Sequence, residues 1–139
     1  MISNQVIDFF RGKGWWYADE AKGYADALRN VGISDSDDLF YFFVHAEDGP
    51  SFLSAHGELL QLGWHLMNTN YSANLAAVRQ AMKIPSDLIL LSSMEGGGGY
   101  FYNIENKEVL FLGAGCSEKD HKRKAWPDIN DFLIYFFDL

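Results

Sequence analysis

Four glycines in a row, Gly96 to Gly99, lie inside "SSMEGGGGYFYNI", between two apolar runs. Bare glycine backbone of this kind can cradle a phosphate, because its amides approach an anion closely. A phosphate loop, however, needs G-x-x-x-x-G-K-[ST] ahead of a helix. Here no Lys follows the glycines, and "YFYNI" has strand composition. A dinucleotide fingerprint also needs a helix behind its glycines. "GAGC" at 113–116 lacks both the third glycine and the helix. The run is therefore predicted to lead one strand into the next, with glycine supplying φ > 0 or a bulge.

The other chemistry-bearing residues are sparse. The histidines are His45, His56, His65 and His121, and no pair has H-x-x-x-H spacing. Cys116 and His121 have no second ligand pair, so no metal site is predicted. There is no G-x-S-x-G elbow for a serine nucleophile. Cys116, in "GAGCSEKD", is expected in a loop as a free thiol. Glu95 and Glu105 flank a predicted strand, but two carboxylates at unknown separation do not make an acid–base pair. These residues predict neither an enzyme nor a cofactor. A small hydrolase acting through Glu95 or Cys116 is the least favoured class, and a binding protein is favoured.

Charge points the same way. The 139-residue chain carries a formal charge of −8. Between Arg29 and Arg79 there is no Lys or Arg, while Asp35, Asp37, Asp38, Glu47, Asp48 and Glu58 all fall there. Such a stretch is either a solvated surface or a face that attracts a basic partner. Nucleic acid is disfavoured, because phosphate contacts need clustered cations. The one basic cluster, "KDHKRK" at 119–124, is short and interrupted by Asp120, and is expected to be a loop.

The elements that must position these residues follow from periodicity. Residues 3–10 are predicted helical, with Ser3 as cap and Val6 and Phe10 on one face. A second helix is predicted over 17–32, with Tyr17, Ala21, Tyr24, Leu28 and Val31 as its stripe and Gly32 as its end. "LFYFFV" has strand composition, yet Ser34 and Asp37 match a capping box, so a helix is preferred there. Leu39, Phe40 and Phe43 then share a face, and Gly49-Pro50 ends the element. Residues 51–66 read as irregular or short strand. "SANLAAVRQAMKIP" is a helix with Ser72 as cap and Pro85 beyond its end. "DLILLSS", "GYFYNI" and "EVLFLG" are strands, the last two a hairpin across "ENK". "WPDINDFLIYFFDL" closes the chain as a helix, with Pro127 first, Asp128 in the first turn, and Ile129, Phe132, Leu133 and Phe136 as its apolar stripe. The predicted fold is α+β, a single domain over 1–139 with an antiparallel sheet packed by helices.

The order of these pieces resembles the SUKH superfamily, which includes bacterial immunity proteins against polymorphic toxins and a fungal regulator of cell-wall synthesis. The resemblance rests on "FYFFVHAEDGP", "GELLQL", a helix ending "MKIP", "DLILLSSMEGGGGYFYNIENKEVLFLG" and "WPDINDFLIYF". It spans about Gly32 to Phe137, with 1–31 as N-terminal helices and 32–139 as the matching portion. This chain departs in having four glycines before the tyrosine-bearing strand, where the family usually has one or two, and in the extra acids Glu47 and Asp48. The resemblance implies a SUKH-like α+β fold, no catalytic residues, and tight binding to a cognate toxin domain such as a nuclease or a deaminase. The partner-binding candidates are Asp35, Asp37, Asp38, Glu47, Asp48 and Glu58, with Trp64 as an aromatic anchor. Trp15, Trp16 and Tyr17 are a second candidate patch. Gly49, Pro50, Gly97, Gly98, Gly99 and Tyr102 are assigned structural roles. The alternative is a regulatory scaffold that binds a cellular partner.

Compartment and assembly are also read from composition. One cysteine cannot form an internal disulfide, so a cytoplasmic location is expected. The N-terminus does not read as a signal peptide, and no apolar run is long enough for a membrane span. With 11 Phe, 7 Tyr and 4 Trp, aromatics exceed ordinary core needs, leaving some for a partner or a homodimer interface.

Overall fold

Ser3 starts the first helix as predicted: its hydroxyl accepts from the Val6 amide, and α1 (Asn4–Gly12) buries Val6 and Phe10. The computed structural model describes residues 1–113 and 124–139. Among the described residues it has six helices and two antiparallel sheets, an α+β fold. None of those helices is long and apolar enough to cross a membrane.

The second helix, α2 (Lys22–Asn30), begins later than the periodicity predicts. The reason is tertiary. The Tyr17 amide donates to His45 O at 2.8 Å, and the Ala21 amide donates to Val44 O at 3.0 Å. These bonds, with the Trp16–Ala46 bridge, hold 15–17 and 21 in extended backbone. Residues 18–20 arch away between them. The buried stripe of α2 is therefore Ala25 and Leu28, and Tyr17 lies outside it. Gly32, at φ 95°, ends the segment as expected.

Helix α3 (Asp38–His45) settles the ambiguity of "LFYFFV" in favour of helix. Its cap is Asp37, not Ser34; the Asp37 side chain accepts from the Leu39 amide. Leu39, Phe40 and Phe43 are buried as predicted, but so are Phe42 and Val44. A helix apolar nearly all round is buried on most sides, which is why its composition resembles a strand's.

Gly49, at φ 73°, turns the chain into a hairpin of β1 (Ser51–Ser54) and β2 (Gly57–Leu60). A short helix, α4 (Leu62–Asn68), follows. The sequence reading missed it. Its organiser is Gln61, which is fully buried. The Gln61 Nε2 group donates to Phe43 O at 2.9 Å and to Ala46 O at 2.7 Å, while Oε1 accepts from the Trp64 amide at 3.2 Å. One side chain thus satisfies the carbonyl end of α3 and the amide end of α4. Helix α5 (Tyr71–Met82) is capped from Asn70, without a side-chain bond, and not from Ser72.

The main sheet runs in the order β3 (Leu88–Leu90), β4 (Gly98–Asn103), β5 (Val109–Gly113), β6 (Lys124–Trp126). The predicted hairpin is β4–β5, with Phe101 opposite Leu110. The Asn103 side chain shapes its loop, accepting from the Glu105 and Asn106 amides. Strand β6 was not foreseen; it ends at Trp126, and the closing helix starts at Ile129, two residues after the predicted Pro127. That helix, α6 (Ile129–Phe136), is capped by the Asp128 carboxylate, which accepts from the Asp131 amide at 2.8 Å. It buries Ile129, Phe132, Leu133 and Phe136 as expected, and packs Phe132 and Phe136 on Tyr100 of β4.

The glycine run leads into β4. Gly96 and Gly97, at φ 72° and 82°, make the turn. Gly98 and Gly99 are already in the strand, where a Cβ would sit 2.5 Å from the Phe111 ring and 2.5 Å from Met94 Sδ respectively. The first pair is needed for conformation and the second for space. On the outer edge of β3, the Tyr71 hydroxyl donates to Leu90 O and the Arg79 Nε–H donates to Leu88 O. Side chains of α5 thereby occupy carbonyls that an unprotected edge would offer to another chain.

Candidate functional site

The arch of residues 18–20 leaves a cleft against the end of α3. Its volume is about 290 Å³, and Tyr17, Asp19, Tyr24, His45 and Glu47 line it, with small apolar residues at its base. The backbone bonds that make the arch also make the cleft. The His45 ring locks it further: its Nδ1–H donates to Tyr17 O at 2.7 Å, and the ring stacks on Trp16 with centroids 5.3 Å apart. Tyr41 closes the stack at 4.7 Å from His45.

Glu47 is fixed from the far wall. The Tyr24 hydroxyl donates to its Oε1 at 2.5 Å. Burial, with that carboxylate beside it, pushes the Tyr24 phenol well above its ordinary range, so it stays a donor. Tyr17 remains 53% exposed at the mouth, and Asp19 and Glu20 are exposed on the arch. None of the residues lining the cleft is Lys or Arg.

The structure divides the acids singled out from the sequence. Glu47 is in the cleft, with exposed Asp48 next to it in the chain. Asp35 is exposed but paired: Arg29 grips it through two bonds, of 2.7 and 3.0 Å, and holds its carboxyl below the usual carboxylate range. Asp38 is half-buried and faces the Met1 amino group. Glu58 is half-buried on β2. Asp37 is only 6% exposed and belongs to the fold. Its Oδ1 accepts from Tyr102 Oη at 2.6 Å and from the Leu39 amide at 3.1 Å, and its Oδ2 from Lys107 Nζ at 2.9 Å. The structural role assigned to Tyr102 is to donate that bond from the sheet to the start of α3. A smaller cleft of about 150 Å³ lies over this network.

The aromatic candidates divide as well. Trp64 is half-buried on α4 and packs edge-on against His65. Trp15 is packed against Phe9, Phe10 and Phe52. Trp16 supports the cleft through His45, and only Tyr17 projects. Sequence reasoning missed Asp19, Tyr24 and His45 as cleft residues. Asp19 and Tyr24 were absorbed into a predicted helix, and only the backbone pairing of 15–21 with 44–47 brings the two segments together. Cys116 and His121 lie outside the described residues. Among the described residues no three His, Cys, Asp or Glu are placed to hold a metal ion.

Helix α2 carries Tyr24, and α4 sets its position. A Cβ on Gly63 would come within 2.6 Å of Tyr24 Cγ and of Tyr24 Cβ, and no rotamer change can move the Cβ aside. Gly63→Ala is therefore expected to prise the two helices apart and lower stability by about 2 kcal/mol, the usual range for overpacking. Gly23→Ala is the control. Its Cβ meets only the flexible end of Met67, at 2.8 Å, and the helix gains propensity. Urea melts check both; equal losses for the two variants would contradict the close α2–α4 contact.

Comparison of the chain with protein-family models, with curated proteins and with solved structures finds no match.

Proposed function

We propose that this chain is an immunity-type binding protein that neutralises a cognate toxin domain by direct contact. A basic nuclease is the toxin whose surface it complements best, with a deaminase second. The observation that carries this reading is the acidic rim of the aromatic cleft, where Asp19 and Glu47 face a space with no basic residue in its lining. Exposed Asp48, next to Glu47 in the chain, adds to that rim, and the resemblance to SUKH immunity proteins supports the reading. A nuclease presents cations where it grips phosphate, so an acidic surface both occupies that groove and speeds capture by steering.

Co-expression with the neighbouring open reading frame, read by mass spectrometry and cell survival, tests the reading. The expected result is a stoichiometric toxin domain, with cells surviving only when both proteins are made. Neutralising Asp19, Glu47 and Asp48 together is then expected to slow association about tenfold at low salt and much less at high salt. Recovery of housekeeping proteins alone, with no toxic neighbour, would overturn immunity and favour a regulatory scaffold.

A further inference from the structure

We propose that the cleft between residues 17–21 and the end of α3 receives one arginine side chain of the protein partner. The inference rests on the binding reading above and names the group recognised. Size suits a small group: about 290 Å³ lies at the lower edge of the range of small-molecule pockets. One long side chain suits it.

The walls choose the chemistry. Tyr17 and Tyr24 line the cleft with aromatic side chains, backed by the His45 ring packed on Trp16 and Tyr41, and Glu47 and Asp19 give it negative charge. A guanidinium uses both at once, because it is planar, stacks on rings and donates to carboxylates as a fork. An ammonium is a compact, strongly hydrated charge and gains less from the rings.

The acceptor is also held in place beforehand. Among the described residues, Tyr24 bonds the Glu47 carboxylate at Oε1, which leaves that group oriented before any ligand arrives. The Glu47 backbone is tied as well, its amide donating to Trp15 O at 2.8 Å. The arch opposite is pinned at both ends, by Tyr17 and by Ala21. Pre-set walls lower the ordering cost of binding.

The test titrates the isotope-labelled full chain with Nα-acetyl-arginine amide and follows it by NMR. The expected result is saturable shifts at Tyr17, Tyr24, His45 and Glu47, with a Kd in the millimolar range. Nα-acetyl-citrulline amide, the neutral isostere, should bind at least about tenfold more weakly, as loss of a charge-assisted pair implies. The lysine analogue should also bind more weakly than the arginine one. Glu47→Gln should weaken the arginine probe by a similar factor while keeping an oxygen for Tyr24 to donate to. Asp19→Asn, on the exposed arch, should weaken it several-fold without disturbing the fold. Absence of saturable shifts, equal binding of citrulline, or stronger binding of lysine would each overturn the proposal. If the probe fails while the toxin domain still co-purifies, the immunity reading stands and docking lies elsewhere. If the probe binds but no toxin is recovered, the cleft stands and the immunity reading falls.

Discussion

Replacing Asp37 with alanine is expected to lower folding stability by about 3 kcal/mol, a large share of what a domain of this size has. The loss has three unequal parts. Helix α3 loses its cap, because Asp37 Oδ1 accepts from the Leu39 amide, and such a cap contributes about 1 kcal/mol. The Tyr102 hydroxyl is left in the interior without an acceptor, at about 1–3 kcal/mol. The ion pair with Lys107 adds least. The lysine side chain is 47% exposed, so water replaces its partner, and exposed pairs contribute about 0–1 kcal/mol. Lys107 also keeps its bond to Ile104 O.

Conservative variants separate these parts. Asp37→Asn can keep one oxygen for both Leu39 and Tyr102 and turns its amide towards Lys107. The expected loss is about 1 kcal/mol. Tyr102→Phe removes the hydroxyl that would otherwise be stranded and should also lose about 1 kcal/mol. In the Asp37→Ala background it should lose much less, because the acceptor is already gone. Urea unfolding of the four proteins makes a double-mutant cycle. A coupling near zero between Asp37 and Tyr102 would contradict the bond that joins the sheet to α3.

How much of this was legible beforehand can be seen residue by residue. The elements whose signals are local came through: Ser3 at its cap, the β4–β5 hairpin, the glycine turn into β4, and the buried stripe of α6. Those set by distant partners did not. Residues 17–21 have helical periodicity, but Tyr17 and Ala21 bond to His45 and Val44 instead, across an interval no periodicity reports. Gln61 looks like an ordinary polar residue until its amide is seen between two helix ends. Strand β6 is three residues long and takes its identity from β5. The same limit applies to the site. Charge along the chain pointed to Glu47 and Asp48, but it could not separate Asp37, which is used inside, from Asp35, which Arg29 neutralises. Asp19, Tyr24 and His45 join Glu47 only through tertiary pairing, so no single stretch of sequence announces the cleft.

The aromatic excess poses the last question, and Phe10 answers most of it. Phe10 is fully buried, and its ring meets those of Trp15, Phe42, Phe52 and Phe137 at centroid distances of 5.7, 5.1, 5.4 and 5.1 Å. Those rings come from the segment after α1, from α3, from β1 and from the end of α6. One side chain therefore joins four parts of the fold, mostly edge to face, where each pair adds to simple burial. Phe10→Ala is expected to lose about 4 kcal/mol, because neighbours drawn from four elements cannot all collapse into the void. Phe10→Leu keeps most of the volume but loses the ring geometry, and should lose about 1–2 kcal/mol. The leucine variant keeps the measurement possible if the alanine variant does not fold. A loss below about 1 kcal/mol in Phe10→Ala would mean that the rings meet loosely. The aromatic surplus would then be free for an interface. Close packing at Phe10 instead assigns its ring neighbours to the interior and leaves Tyr17, at the mouth of the cleft, and Tyr41 as exposed aromatics.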